Sequence, residues 1–327
     1  MKIGNIDMPY GIMLAPMAGY SDRAMRVICH GLGAEYSVTE MISAKAVVFG
    51  DKKTLSLAAI HTDEGPVGLQ LFGSEPETVA RAAAIMSRGV EMEGCVPPAA
   101  IDINMGCPVN KIFGNGEGSA LMRSSSLIHD IVRATTEATD LPVTVKLRVG
   151  IDDRSINATE CALAAEEGGA AMICMHGRTR VDMYSGEVRR EILREVKKSL
   201  RIPFIANGDI ICPSDALSML SDTGADGIAI GRGAVGNPFI FSQIRAILSG
   251  GEPTCPTLRE QIELALCQLR ISVEEKGERV AVQESRKQIA LYLHAFRGAA
   301  ALRAKINSAT TYREVEHILL SALDAES

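Results

Sequence analysis

Short apolar runs recur along this chain, each closing on a polar or glycine-rich turn and leading into a longer stretch with helical spacing. They fall at 12–15, 34–38, 67–72, 100–104, 143–147, 171–175, 204–206 and 227–230. Runs of this length, bounded by turn signals, read as buried strands. Eight strands alternating with helices predict an α/β fold, a closed (β/α)8 TIM barrel. The pattern is complete by residue 248, close to the roughly 250 residues such a barrel needs. An open doubly wound sheet is the second reading of the same alternation.

Helix signals support the alternation. Ser74-Glu75-Pro76-Glu77 has the spacing of a capping box, and Pro76 falls in a first helical turn, where a missing N–H is no loss. Pro213-Ser214-Asp215 and Asn237-Pro238 open the seventh and eighth barrel helices similarly. The pattern breaks at Ser249-Gly250-Gly251-Glu252-Pro253, with more punctuation at Pro256. The expected organisation is a barrel over 1–249, a linker over 250–256 and a small C-terminal helical bundle over 257–327. In the bundle, Ile262, Leu264, Leu266 and Leu269, then Ile289, Tyr292, Leu293 and Phe296, recur with helical period.

Composition narrows the class. With 46% hydrophobic and 23% charged residues, 327 residues can bury a large core plus a small one. No apolar targeting segment follows Met1, and no eighteen apolar residues run together, so the expected compartment is the cytoplasm, without membrane. The eight cysteines show no Cys-x-x-Cys pair or zinc spacing; buried thiols are expected and no metal. The net charge of −6 excludes a general basic coat. Yet 276–313 carries eight basic and two acidic residues, which reads either as solvated helix faces or as a phosphate-contacting surface.

A barrel gathers its strand ends at one mouth. That places together Pro16-Met17-Ala18-Gly19, Glu40, Gln70, Asn104 with Cys107, Lys146 with Arg148, His176 with Arg178 and Arg180, Asn207-Gly208-Asp209, and Gly231-Arg232-Gly233. The last two groups suit a phosphate, since glycines expose backbone N–H there. Lys146 on a strand facing the mouth calls for an anionic or electrophilic partner: a reduced flavin, a phosphate or a Schiff-base substrate. Cys107 is a nucleophile, a metal ligand or a proton donor by residue type alone. Gly114-Asn115-Gly116-Glu117-Gly118 reads as a mobile loop or a lid. Gly231-Arg232-Gly233-Ala234-Val235-Gly236 matches the dinucleotide fingerprint but follows the eighth strand, with no further βαβ unit after it, so the Rossmann reading is rejected.

Seven motifs in order resemble the tRNA-dihydrouridine synthases, the bacterial DusB-like branch most. They are Ala15-Pro16-Met17-Ala18-Gly19, Gln70-Leu71-Phe72-Gly73, Asn104-Met105-Gly106-Cys107-Pro108, Val143-Thr144-Val145-Lys146, His176-Gly177-Arg178-Thr179-Arg180, Asn207-Gly208-Asp209 and Gly231-Arg232. The stretch from Arg286-Lys287 to Leu302-Arg303 is similar to that family's helical domain. The resemblance implies an FMN-containing barrel that reduces the C5=C6 bond of specific uridines in the tRNA D-loop, with NADPH or NADH as reductant and Cys107 as proton donor. Pro16, Met17, Ala18, Gln70, Lys146 and His176 would hold the flavin ring and the near side of its ribityl chain, and Asn207, Gly208, Asp209, Gly231 and Arg232 the ribityl and phosphate end. Asn104 and Arg178 would bind the uracil edge, Arg286 and Lys287 the tRNA. The partner is tRNA and the expected state a monomer.

The chain departs from the family pattern at Asp182, where a Gln is frequent, at Val188-Arg189-Arg190, and in lacking Trp, with Phe239 and Leu291 near its usual places. These changes bear on docking of the substrate. Competing readings are an aldolase-like barrel with Lys146 as Schiff-base former, an FMN-dependent reductase of free pyrimidines resembling the dihydroorotate dehydrogenases, and a non-catalytic tRNA-binding flavoprotein. The basic helical region argues against the second and the retained Cys107 against the third.

Overall fold

The computed structural model describes residues 1–293 and 299–324. Phe296 and Arg297, named above in the helical periodicity and the basic stretch, lie outside the described residues. At the centre stand eight parallel strands: β1 (Ile12–Leu14), β2 (Tyr36–Val38), β3 (Val67–Phe72), β4 (Ala100–Asn104), β5 (Val143–Arg148), β6 (Met172–His176), β7 (Phe204–Asn207) and β8 (Gly227–Ile230). Each pairs with its neighbours, and β8 pairs with β1 through Ile228 and Ile12, so the sheet closes. The closed barrel holds and the open sheet falls. Near the C-terminal end of β3, a short strand, Ile42–Ser43, adds beside Leu71 and Phe72.

The strands are buried on both faces, which is why they read as nearly continuous apolar runs. Alternate residues still divide sharply. Leu69, Leu71, Ile101, Ile103, Val145, Leu147, Ile173 and Ile228 pack outward into the core shared with the helices. Met13, Ala15, Tyr36, Val38, Ala100, Met172, Cys174, Ile205 and Ala229 fill the interior with Ile3, Ile6 and Met8. The last three come from an antiparallel ribbon, Lys2–Ile3 with Ile6–Asp7, which covers the N-terminal end of the barrel. Gly68 is needed for this packing: a Cβ there would stand 1.9 Å from Tyr36 Oη.

The outer helices include Arg23–Gly31, Pro76–Met86, Ser125–Glu137, Ala158–Glu167, Arg190–Ser199, Pro213–Thr223 and Ile240–Leu248. Pro76 and Pro213 sit in first turns as expected. The Ser74 capping box does not form. Glu75 is the N-cap and makes no side-chain capping bond, because the helix begins at Pro76, one residue too late for Ser74. Among the described residues no helix is long and apolar enough to cross a membrane.

After Leu248 the chain runs without helix or strand until Thr257 caps the helix Leu258–Lys276, its hydroxyl and Glu260 closing a capping box. Among the described residues three more α-helices follow, Glu278–Ile289, Ala299–Ser308 and Tyr312–Asp324, with a 3₁₀ turn, Ala290–Leu293, after the first, around a separate core that includes Ile262, Leu269, Val282, Ile289, Leu293, Ile306 and Leu319. The helical region is docked on the barrel. Lys276 Nζ lies 2.8 Å from Asp22 Oδ2, and Gln288 Nε2 donates to Gly19 O at 3.4 Å. Gly236, with φ +74°, meets Leu291 so closely that a Cβ would fall 2.6 Å from its backbone.

Candidate active site

The C-terminal strand ends surround a cavity of about 860 Å³, within the range of small-molecule and cofactor sites, roughly 300–1,000 Å³. Pro16, Met17 and Ala18 enter from the turn after β1, Gln70 from β3, and Asn104 and Cys107 from the end of β4. Lys146 and Arg148 come from β5 and His176 from β6. Asn207, Gly208 and Asp209 follow from β7, and Gly231 and Arg232 from β8. Every residue the resemblance assigns to the flavin lines this one cavity, together with Cys107 and Asn104. Arg178, Arg286 and Lys287 are not among its lining residues.

Cys107 is 9% exposed, and its backbone is held on both sides of the thiol. Its N–H donates to Asn104 Oδ1 at 2.9 Å, and its carbonyl accepts from Ser119 N at 3.1 Å and Ser119 Oγ at 2.8 Å. Arg148 ties the same loop to the one after β6, donating to Gly106 O at 2.9 Å, Thr179 O at 2.8 Å and Met183 O at 2.9 Å. Burial raises the thiol pKa, so Cys107 carries its proton at neutral pH. The glycine-rich segment expected as a loose loop is a tight turn between the short helix Asn110–Gly114 and a 3₁₀ turn, Gly118–Arg123, and Ser119 of that turn buttresses Cys107.

The opposite wall is cationic. Lys146 Nζ donates to Asn207 Oδ1 at 3.0 Å, and Asn207 Nδ2 is fixed by Ala229 O at 2.8 Å. Among the described ion pairs Lys146 has no carboxylate partner, and burial lowers its pKa. His176 is buried, and desolvation followed by the charges of Lys146, Arg148, Arg178 and Arg232 pushes its pKa well below the ordinary value. Its ring is neutral at physiological pH. Asp209, at φ +49°, is gripped from two sides: Arg178 Nη1 at 2.8 Å and Arg232 Nη2 at 3.1 Å.

Arg178 is 2% exposed and satisfied by the protein. Besides Asp209 it donates to Ser185 O at 2.9 Å and Gly186 O at 2.5 Å. The expected contact with a substrate edge would have to displace one of these bonds. Asp182, the first departure noted above, accepts from Thr179 N at 2.8 Å and Arg189 Nη1 at 2.5 Å, while Arg189 also reaches Asp153 at 2.5 Å. Two departures, Asp182 and Arg189, thus answer each other and pin the loop after β6.

Several lining residues escaped the sequence reading. Tyr184, 52% exposed, stands 6.4 Å from the His176 ring, with the Arg232 guanidinium 4.9 Å from its own ring centroid. Ile211, 66% exposed, lies at the same mouth. Exposed apolar side chains in loops after strands are a weak but usable signal. Leu291 and Tyr20 also line the cavity, and Leu291 comes from the helical region, which no strand-end pattern could have revealed.

Comparison with known proteins agrees with this geometry. The dihydrouridine synthase (Dus) family model matches residues 13–326. A probable tRNA-dihydrouridine synthase from Rickettsia conorii is 40% identical over 309 residues, covering 94% of this chain and 91% of the relative. The tRNA-dihydrouridine synthase B of Pseudomonas aeruginosa is 38% identical over 312 residues, covering 94% and 91%. Among solved structures, histamine dehydrogenase from Rhizobium sp. 4-9 has a TM-score of 0.57 at 12% identity, over 88% of this chain and 50% of that one. An old yellow enzyme homologue from Zymomonas mobilis has a TM-score of 0.51 at 13% identity, over 80% and 94%. At such identities these two speak for the barrel fold. The match over nearly the whole length, helical region included, means that the chain belongs to the dihydrouridine synthase family.

Proposed function

We propose that this chain is a flavin-dependent oxidoreductase that reduces the C5=C6 bond of specific uridines in the tRNA D-loop, in the cytoplasm, with FMN in the barrel mouth and NADPH or NADH as electron source. The observation that carries this reading is the meeting, in one cavity, of a buried thiol, Cys107, and a half-buried lysine, Lys146, that has no carboxylate contact among the described residues. The residues present suit FMN. Lys146, with no direct carboxylate contact among the described residues, offers a positive charge to an electron-rich ring, and Gly208 and Gly231 line the cavity beside Arg232.

Pro16, Met17, Ala18, Gln70, Lys146 and His176 would hold the ring side, and Asn207, Gly208, Asp209, Gly231 and Arg232 the ribityl and phosphate end. When bound, the flavin supplies hydride to the pyrimidine ring. The chain supplies the rest. Cys107 keeps its proton at neutral pH and gives it to C5, for which a thiolate would be useless. Asn104 stands at the base of the same loop for the uracil edge, and Arg178 serves by fixing Asp209. A uridine must leave its stack to reach this depth. Arg286 and Lys287 meet tRNA phosphates: Lys287 is exposed, with its Nζ 4.3 Å from the ring centroid of Tyr20, itself a lining residue. The free-pyrimidine alternative leaves the matched helical region without a role.

Cys107→Ala tests the assignment. Bound flavin and its bleaching by NADPH should persist, while reduction of unmodified tRNA falls on the order of 100-fold or more, the usual worth of a positioned general acid. Unchanged tRNA reduction would refute the proton-donor role, and a protein that neither contains nor takes up FMN would refute the flavin.

A further inference from the structure

Beneath Cys107 the barrel interior holds a carboxylate that the proposed chemistry does not use. Asp102 precedes Asn104 by two residues on β4, shares its inward face, and is 2% exposed. Its Oδ1 accepts from the Thr144 hydroxyl at 2.5 Å and its Oδ2 from Gln70 Nε2 at 2.7 Å. Gln70 Oε1 then accepts from Asn104 Nδ2 at 2.9 Å. Asn104 Oδ1 finally accepts the backbone N–H of Cys107 at 2.9 Å and of Gly106 at 3.3 Å.

The direction of this chain follows from its first member. An ionised carboxylate accepts and cannot donate, whereas a side-chain amide has a donor end and an acceptor end and can turn over. Asp102 therefore requires the NH2 end of Gln70. The Gln70 carbonyl then requires the NH2 end of Asn104, and the Asn104 carbonyl is left facing the Cys107 loop. Turning both amides over would set an NH2 group against two backbone N–H groups in a buried site, leaving all of them without acceptors. We propose that Asp102 is the positioning residue for Cys107: by accepting only, it fixes the polarity of the Gln70 and Asn104 amides, which in turn anchor the backbone of the thiol's loop.

The importance of this device for turnover rests on Cys107 as proton donor, but the anchoring of the loop does not, and the test separates them. Alkylation of Cys107 by iodoacetamide is followed by peptide mapping, with FMN added in excess to every variant. Asp102→Asn permits either end of an amide to face Gln70, so the loop loosens and Cys107 alkylation speeds up about tenfold; kcat for tRNA falls while its KM holds. The double variant Asp102→Asn/Gln70→Glu restores an acceptor-only group one link along. The amide introduced on β4 can then donate to the carboxylate introduced on β3 and accept from Thr144, and Asn104 again points its carbonyl at Cys107. The alkylation rate of the double variant should return to within about twofold of the parent. An unaltered rate in Asp102→Asn, or no recovery in the double variant, overturns the assignment. Should Asp102→Asn fail to fold, Gln70→Met cuts the same chain and must give the same acceleration. A thiol that follows this pattern in a protein whose Cys107→Ala variant still reduces tRNA would keep the positioning role and discard the proton-donor one.

Discussion

The barrel mouth and the helical region both carry excess positive charge, and they use it in opposite ways. In the mouth, Lys146 is half-buried and bonded to a neutral amide, with no carboxylate in direct contact among the described residues and only the more distant charge of Asp102 acting on it. In the helical region, Lys276 stands between Asp22 at 2.8 Å and Glu284 at 3.1 Å, and its pKa rises accordingly despite the opposing cost of burial. On the reading proposed above, one cation waits for a ligand. The other is already spent on fastening two parts of the chain. A count of basic residues treats the two alike, so charge becomes informative only once its partner is known.

The largest effect should follow from removing the waiting charge. Lys146→Met keeps the length of the side chain and deletes its ammonium. If Lys146 faces an electron-rich cofactor, FMN affinity measured by fluorescence titration should weaken by on the order of 100-fold, as for truncating one member of a buried charged contact. Full retention of FMN with normal reduction by NADPH would mean that the charge in the mouth is as structural as Lys276.

The barrel also buries a negative charge, at a cost to stability that the exposed helical surface escapes. Desolvation raises Asp102 from the ordinary 3.8 to about 6, although Thr144, Gln70 and Lys146 all oppose it. A carboxyl whose folded-state pKa lies above its unfolded value stabilises the fold while protonated. That contribution is full below about pH 4 and lost as the pH climbs through 6. Between those limits the parent should lose about 3 kcal/mol relative to Asp102→Asn, after which the gap is level. Denaturant titrations of both proteins from about pH 3 to 8 read it directly. A gap independent of pH would mean that Asp102 titrates like a surface aspartate.

Much of this was legible beforehand, for physical reasons. Strands buried on both faces announce themselves as apolar runs, and polar residues at their ends have nowhere to point except a mouth, so Gln70, Lys146, His176 and Asn207 could be placed together from the chain alone. Asp102 was equally visible, two residues before Asn104 on a strand of period two, but a lone carboxylate among apolar residues gives no hint of what it accepts from. The fate of Arg178 was not legible. Its partners, Asp209 and two loop carbonyls, depend on how the turns after β6 and β7 approach each other. Leu291 stood out only as a place near which relatives carry Trp; its position in the cavity wall could not be foreseen, since docking of the helical region on Gly236 is a tertiary fact.

The smallest effect should come from the charges that the helical region offers outward. Arg286 is half-buried, its Nε without a hydrogen-bond partner among the described residues, and Lys287 is exposed above Tyr20 at the edge of the mouth. If both meet tRNA phosphates, the double variant Arg286→Glu/Lys287→Glu should weaken tRNA binding about tenfold at moderate salt. It should also reduce the slope of log affinity against log salt by about 1.5, since each phosphate contact contributes roughly 0.7–0.9. Lys276→Ala supplies the contrast, because a lysine held by Asp22 and Glu284 releases no counterion from RNA, and its slope should match the parent. A slope unchanged in the double variant would move the phosphate contacts to Arg279, Lys305 and Arg313, which are exposed and have no ion pair among the described residues. A slope changed by Lys276→Ala as well would mean that the seam between the two parts opens when tRNA binds, and the contrast between fastened and waiting charge would then hold for the free protein alone.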